Sequence, residues 1–169
     1  MKTKSKRRKS RTPRILTGNH PSLKTVCKPV TDFEIATKVI RDLKYCLDKR
    51  KRGVGLSANQ IGSDLRIILV QTKRASNYNV PGWPAEFTAM INPVITDASV
   101  TTNIATEGCL SYPGIYKSIK RSSRINVKYN TIDGSEHYVM FSNFEARIIQ
   151  HEIDHLNGLC RISPDEKVN

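Results

Sequence analysis

Two histidines four residues apart, in His151-Glu152-Ile153-Asp154-His155, constrain this 169-residue chain more than any other feature. On a helix, positions i and i+4 share a face one turn apart, so both imidazoles can reach one ion. The surroundings predict such a helix. Ser142-Asn143-Phe144-Glu145 is a capping-box pattern, and Gly158 stands where a C-terminal stop belongs. Glu152 then sits beside the open coordination position, where a carboxylate can take a proton from water. The same pentapeptide also arises by chance, its histidines satisfied by ordinary hydrogen bonds. A third ligand decides between the two.

Downstream donors are poor. His155-Leu156-Asn157-Gly158-Leu159-Cys160 leads to Arg161, a cation, where the metzincin pattern has its third histidine. About eleven residues follow Gly158, too few for a further helix carrying a glutamate ligand. Cys160, five residues past His155, is expected to project away from the His151/His155 face. Upstream, Glu107-Gly108-Cys109-Leu110-Ser111 places Cys109 in a short stretch bracketed by Gly108 and Pro113, which suits a strand end approaching a helix. A Cys109 thiolate completes a Cys–His–His set with one tetrahedral corner left for water.

Charge and cysteine usage narrow the setting. The net charge is +13, and eight basic residues fall within the first fourteen positions with no acid among them. Residues 1–12 are therefore expected to form a disordered basic arm, and 13–169 a single domain. The arm suits RNA or another polyanion, or is a solvated tail; a transit peptide fits less well, for want of an apolar face. No run of about 20 apolar residues is present to span a bilayer, and no apolar core follows the basic start as in a secretory signal. A cytoplasmic protein with reduced thiols is expected. The four cysteines form no CxxC pair, which excludes a zinc ribbon, and Cys27, Cys46 and Cys160 read as small buried hydrophobes.

The rest of the chain predicts an α+β fold, with antiparallel or mixed sheets packed around the histidine-bearing helix. Thr31-Asp32-Phe33-Glu34 is a second capping-box pattern, and Ile35, Val39, Leu43 and Leu47 follow at i+4 spacing, giving a helix over about 32–50. Ile67 to Val70 is a short apolar strand. Met90 to Ile95, broken by Pro93, suits an edge strand or a bulge. Ile125, Val127 and Tyr129 alternate with polar residues, Asp133-Gly134 offers a hairpin turn, and Tyr138 to Phe141 returns as the partner. Ser76–Glu86 reads as a loop. Gly53-Val54-Gly55-Leu56-Ser57-Ala58-Asn59-Gln60 lets backbone lie close to an extended ligand, with Gln60 as an amide donor. It lacks the lysine of a P-loop and the spacing of a dinucleotide loop.

Taken together, the three segments resemble the signature motifs of the peptide deformylase family, in that family's order: Gly-x-Gly-Leu-Ala-Ala-x-Gln, Glu-Gly-Cys-Leu-Ser and His-Glu-x-Asp-His. The second and third match at every fixed position, and Ala146-Arg147-Ile148-Ile149-Gln150 also looks like the family. The resemblance covers roughly residues 13–162. It implies a metal-dependent hydrolase that removes the formyl group from N-formylmethionine of newly made chains, releasing formate. It implies one divalent ion on Cys109, His151 and His155, with Fe²⁺ the usual physiological ion and Zn²⁺, Ni²⁺ or Co²⁺ able to take its place. Glu152 would serve as acid and base, and the Gln60 amide and Leu110 backbone N–H would steady the oxyanion. Val54, Gly55, Gly108 and Ile148 would meet the extended formylated peptide, although Val54 and Ile148 are equally suited to a core.

Two departures stand out. Ser57 occupies a position where alanine is usual, with a modest effect on packing expected. The chain also lacks the long C-terminal helix that many bacterial deformylases use to dock on the ribosome, and binding of ribosomal RNA by the basic arm is a hypothesis for what replaces that contact. This short form resembles deformylases of phage or organelle origin, which the sequence does not separate from bacterial ones. Two rival readings are weaker. An endopeptidase built on the same helix lacks its downstream ligand, and an RNA-binding protein with a decayed site would not keep Cys109, His151, His155, Glu152 and Gln60 together.

Overall fold

A computed structural model describes residues 12–50, 53–72 and 87–166. Most of the basic arm and the segment read as a loop over 76–86 lie outside the described residues. The elements, in chain order, are α1 (Phe33–Asp48), β1 (Gly55–Ser57), β2 (Ile67–Gln71), β3 (Phe87–Ala98), β4 (Thr102–Cys109), β5 (Tyr112–Ser122), β6 (Arg124–Asn130), β7 (Glu136–Ser142) and α2 (Asn143–Leu156). Five strands form one antiparallel sheet in the order β1-β2-β3-β6-β7, and β4 pairs with β5 as a separate two-stranded sheet. No helix among the described residues is long and apolar enough to cross a membrane.

The run Ile67-Ile68-Leu69-Val70 is apolar throughout because both faces of the five-stranded sheet are covered at β2. Ile67 and Leu69 pack with Ala36, Ile40 and Leu43 of α1. Ile68 and Val70 face the other way, into a cluster with Ile149 and Ile153 of α2. Alternate residues of a strand point to opposite faces, so a strand sandwiched between helices has no solvent side to be polar. On its remaining side α2 meets the β4–β5 pair, which places it between the two sheets.

Several local expectations are corrected. The cap of α1 is Asp32, whose carboxylate accepts the Glu34 and Ile35 amides at 2.9 and 3.3 Å; the first residue of the expected box, Thr31, is outside it. Ser142 caps α2 by position, but its side chain makes no cap hydrogen bond. β3 is an interior strand, and the Asn92-Pro93 pair is accommodated as a bulge, with Asn92 at φ 53°. The Asn92 side chain there bonds both backbone groups of Val30, at 2.7 and 3.0 Å, tying the N-terminal segment to the sheet. Finally, the backbone following β1 forms a short 3-10 helix, Ala58–Ile61, closed by Gly62 at φ 88°.

Candidate metal centre

Three elements converge on one point. β4 ends at Cys109, and the pairing with β5 slips between Gly108 and Cys109, so that Gly108 faces Tyr116 but Cys109 faces Tyr112. Such a bulge re-aims a side chain at the end of a strand. α2 presents His151 and His155 one turn apart, with ring centroids 5.0 Å apart. One donor atom each from Cys109, His151 and His155 lies within 4.8 Å of the others, and Cys109 Sγ is 3.2 Å from His155 Nε2.

The donors fit a first-row divalent ion, which takes thiolate and imidazole at about 2.0–2.3 Å. The polar atoms around them fit as well. Glu152 Oε2 is buried beside them with no hydrogen-bond partner, where an unpaired polar atom is otherwise costly. His151 Nδ1 faces Glu107 Oε2 at 3.0 Å, which leaves Nε2 for a ligand. Burial dominates at Glu152 and pushes its carboxyl up to about 8. Neighbouring positive charge works against that shift.

Behind the ligands lies a buried ionic cluster. Glu107 accepts from Arg121 Nε and Nη2, both at 2.9 Å, from Arg147 Nη1 at 2.5 Å and from His151. Burial alone would raise this carboxyl, but the hydrogen bonds from His151 and Arg121 and the Arg121 charge outweigh it and hold it at about 2. Arg121 also reaches Asp154, which pairs with Arg161 at 3.1 Å, so Asp154 is engaged in salt bridges. Two arginines against two carboxylates leave the interior near neutrality, the condition under which buried charge is tolerated.

The other residues singled out from the sequence fall around this point. The Gln60 amide donates to Ser111 Oγ at 3.0 Å and approaches Cys109 Sγ at 3.6 Å. Gly55 lies against Glu152 and Ile148. Val54 and Ile148 belong to the apolar cluster of α2 and the sheet, and Leu110 packs against the α1 cluster. Gly108 is exposed on its strand, and a Cβ there would meet the Tyr116 ring at 2.8 Å.

Cys160 is a correction. It does not point away from the histidines: it is buried with Tyr112 and Ile119 in a cluster against which Cys109 packs. The neighbouring Cys160 thiol and burial together raise the Cys109 thiol above its ordinary range. Gly158, at φ 74°, reverses the chain after α2, so helical spacing no longer applies beyond it. The Glu107–Arg121–Arg147 cluster and Ser111 were likewise not assigned roles from sequence, although Glu107 and Ser111 sit inside the quoted motif.

Among the described residues, Cys109, His151 and His155 form the one group placed to hold a metal ion, with the Glu152 carboxylate beside it on an α+β scaffold, an arrangement that suits a mononuclear metal-dependent hydrolase. The family model described as polypeptide deformylase matches residues 12–167. The peptide deformylase of Thermotoga neapolitana is 36% identical over 160 residues, covering 92% of this chain and 90% of that protein. That of Thermomicrobium roseum is 40% identical over 147 residues, covering 86% and 81%. Among solved structures, peptide deformylase from Thermotoga maritima superposes with a TM-score of 0.77 at 36% identity, covering 90% of this chain and 96% of that one. A Met-Ala-Ser-bound class I type b enzyme from Acinetobacter baumannii gives 0.76 at 31% identity, covering 89% and 96%. The chain belongs to the polypeptide deformylase family. Peptide deformylation, a metal-dependent hydrolysis, is the activity that membership carries.

Proposed function

We propose that this chain hydrolyses the formyl group from N-formylmethionine at the start of newly made polypeptides, with Cys109, His151 and His155 holding one divalent ion and Glu152 moving the proton. The observation that carries the reading is the convergence of those three donors beside a buried carboxylate with an unpaired oxygen. Fe²⁺ is the proposed physiological ion; Zn²⁺, Ni²⁺ and Co²⁺ suit the same donors.

A divalent ion held there supplies Lewis acidity, polarising a carbonyl and making water more acidic. The protein does the rest. Glu107 fixes the His151 ring and its tautomer through Nδ1. Glu152 takes a proton as water adds to the formyl carbon, then delivers it to the departing amine nitrogen, so that formate and a free N-terminus leave. Its burial suits it to hold that proton near neutral pH. The Gln60 Nε2–H and the Leu110 backbone N–H donate to the oxygen that gains charge. The extended substrate lies along the Val54–Gly55 backbone and Gly108, with Ile148 and Val54 against the methionine side chain.

The remaining proposals concern setting. The basic arm, residues 1–12, is proposed to contact ribosomal RNA, and the domain over 13–169 to carry catalysis, in the cytoplasm of a bacterial cell or a phage-infected host. Deleting residues 1–12 is expected to weaken ribosome association at physiological salt; unchanged association would remove that proposal.

A formate-release assay on a formyl-Met peptide tests the central reading, using protein purified without oxygen and with its metal content measured. Formate release with about one ion per chain is expected. Cleavage of internal bonds in unformylated peptides instead would make the chain an endopeptidase.

A further inference from the structure

Ser57 ends β1 with its side chain fully buried, and it is more than a packing residue. Its backbone N–H donates to Gln60 Oε1 at 2.9 Å. Its hydroxyl lies 2.9 Å from that same oxygen and 2.9 Å from Asn59 Oδ1. Both amides lead to the metal centre. The other end of the Gln60 amide, Nε2, points to Ser111 Oγ and Cys109 Sγ. The Asn59 Nδ2 donates to the backbone carbonyl of His155, at the end of α2. One hydroxyl hydrogen therefore serves two buried acceptors, one on the residue that aims at the Cys109 corner and one on the residue that grips the ligand helix.

A glutamine amide rotates about a soft terminal torsion, and a donor is worth most in a transition state when it needs no reorganisation. The Ser57 N–H sets which way the amide faces. The hydroxyl adds a second donor to the same oxygen and narrows the swing of Nε2. An alanine here would keep the N–H and lose the hydroxyl, leaving the Asn59 oxygen without its donor in a buried place, which is costly.

We propose that Ser57 is a positioning residue: its hydroxyl holds the Gln60 amide in the orientation that presents Nε2 to the reacting oxygen, and joins it through Asn59 to the helix bearing His155. The proposal rests on the deformylase reading of Gln60 and extends it to a residue that touches neither substrate nor metal.

The test is Ser57→Ala in the full chain, alone and combined with Gln60→Ala, in two measurements. In formate release from a formyl-Met peptide, S57A is expected to lower kcat about three- to tenfold, the worth of one neutral hydrogen bond, with KM unchanged. In the Q60A background the same substitution should cost less than about twofold, because the two act as one unit. In the ¹⁵N-labelled, Zn²⁺-loaded protein, the Gln60 side-chain NH₂ resonances of S57A are expected to shift and broaden, while those of Gln71 and Gln150 stay. Thermal melting confirms that each variant is folded. An S57A enzyme with wild-type kcat and unmoved Gln60 resonances overturns the proposal, as does an S57A loss undiminished in the Q60A background. If the wild-type chain releases no formate, the deformylase reading fails, and the amide resonances still decide whether Ser57 orients Gln60.

Discussion

Gly55 lies so close to Glu152 that a Cβ built on it would stand 2.5 Å from Oε1 and 2.9 Å from Ile148 Cγ2. Glycine is needed here for space, since its backbone is ordinary β-strand. Gly55→Ala is expected to push the Glu152 carboxylate and the Ile148 side chain off their positions. The expected readout is a fall in kcat/KM of at least about 100-fold with metal content retained, as small misplacements of catalytic groups cost about that much. Wild-type kcat/KM in G55A would show that Glu152 does not work from this place.

Glu152→Gln keeps the volume of the side chain and removes its ability to take a proton. Formate release is expected to fall by about 10²–10⁴, the usual share of general acid–base catalysis. Because the side chain lies beside the ligands and is not one of them, metal measured by atomic absorption should stay near one ion per chain. Near-normal turnover in E152Q would end the acid–base assignment.

Removing a ligand should separate metal from fold. Cys109→Ala and His155→Ala are each expected to weaken metal binding by more than about 100-fold, beyond the range seen when only a supporting residue is lost. The two large apolar clusters that pack α1 and α2 onto the sheet stay intact in both variants, so the metal-free proteins are expected to melt cooperatively, with H155A the less stable because it empties a fully buried position. Tight binding of one ion by C109A would move the site elsewhere.

Glu107 gives the fold a measurable acid limit. Its folded-state pKa of about 2 lies below the ordinary glutamate value of 4.5, so between those values the unfolded chain binds the extra proton. The stability it contributes is present above about pH 4.5 and drains away as the pH falls toward 2. Urea melts of the metal-free protein at stepped pH should show a slope approaching about 1.4 kcal/mol per pH unit from this group. Glu107→Gln should flatten that slope and, by leaving Arg121 and Arg147 short of an anion, destabilise the protein at pH 7 by about 3–5 kcal/mol. Parallel slopes in both proteins would assign the acid limit to other carboxylates.

What could be read from the sequence follows the range of the interactions. The two helices and the β6–β7 hairpin were legible because their signals are local: i+4 spacing, a cap, an Asp133-Gly134 turn. The β4–β5 pair was not. Thr102, Thr106, Lys117 and Ser118 give it no clean apolar alternation, and much of it faces solvent. The same distinction holds within the metal centre. His151 and His155 are read from a single helix face, and Cys109 from the lack of any donor downstream. Arg121 and Arg147 lie 14 and 40 residues from the Glu107 they hold, a distance no spacing rule covers. Cys160 was misplaced because a helical projection was carried past Gly158. The hydrogen bonds of Ser57 are not legible either, since its acceptors emerge only when the 3-10 helix folds Asn59 and Gln60 back onto it.

The saturation of Glu107 has one more consequence. A glutamate two residues from a proposed metal ligand is itself a capable donor and, if free to turn, would compete for an ion held there. With Arg121, Arg147 and His151 occupying both of its oxygens, it has no lone pair to offer. On the proposed reading the arginines would act as guards as well as counterions, keeping this carboxylate away from an ion that Cys109, His151 and His155 would hold.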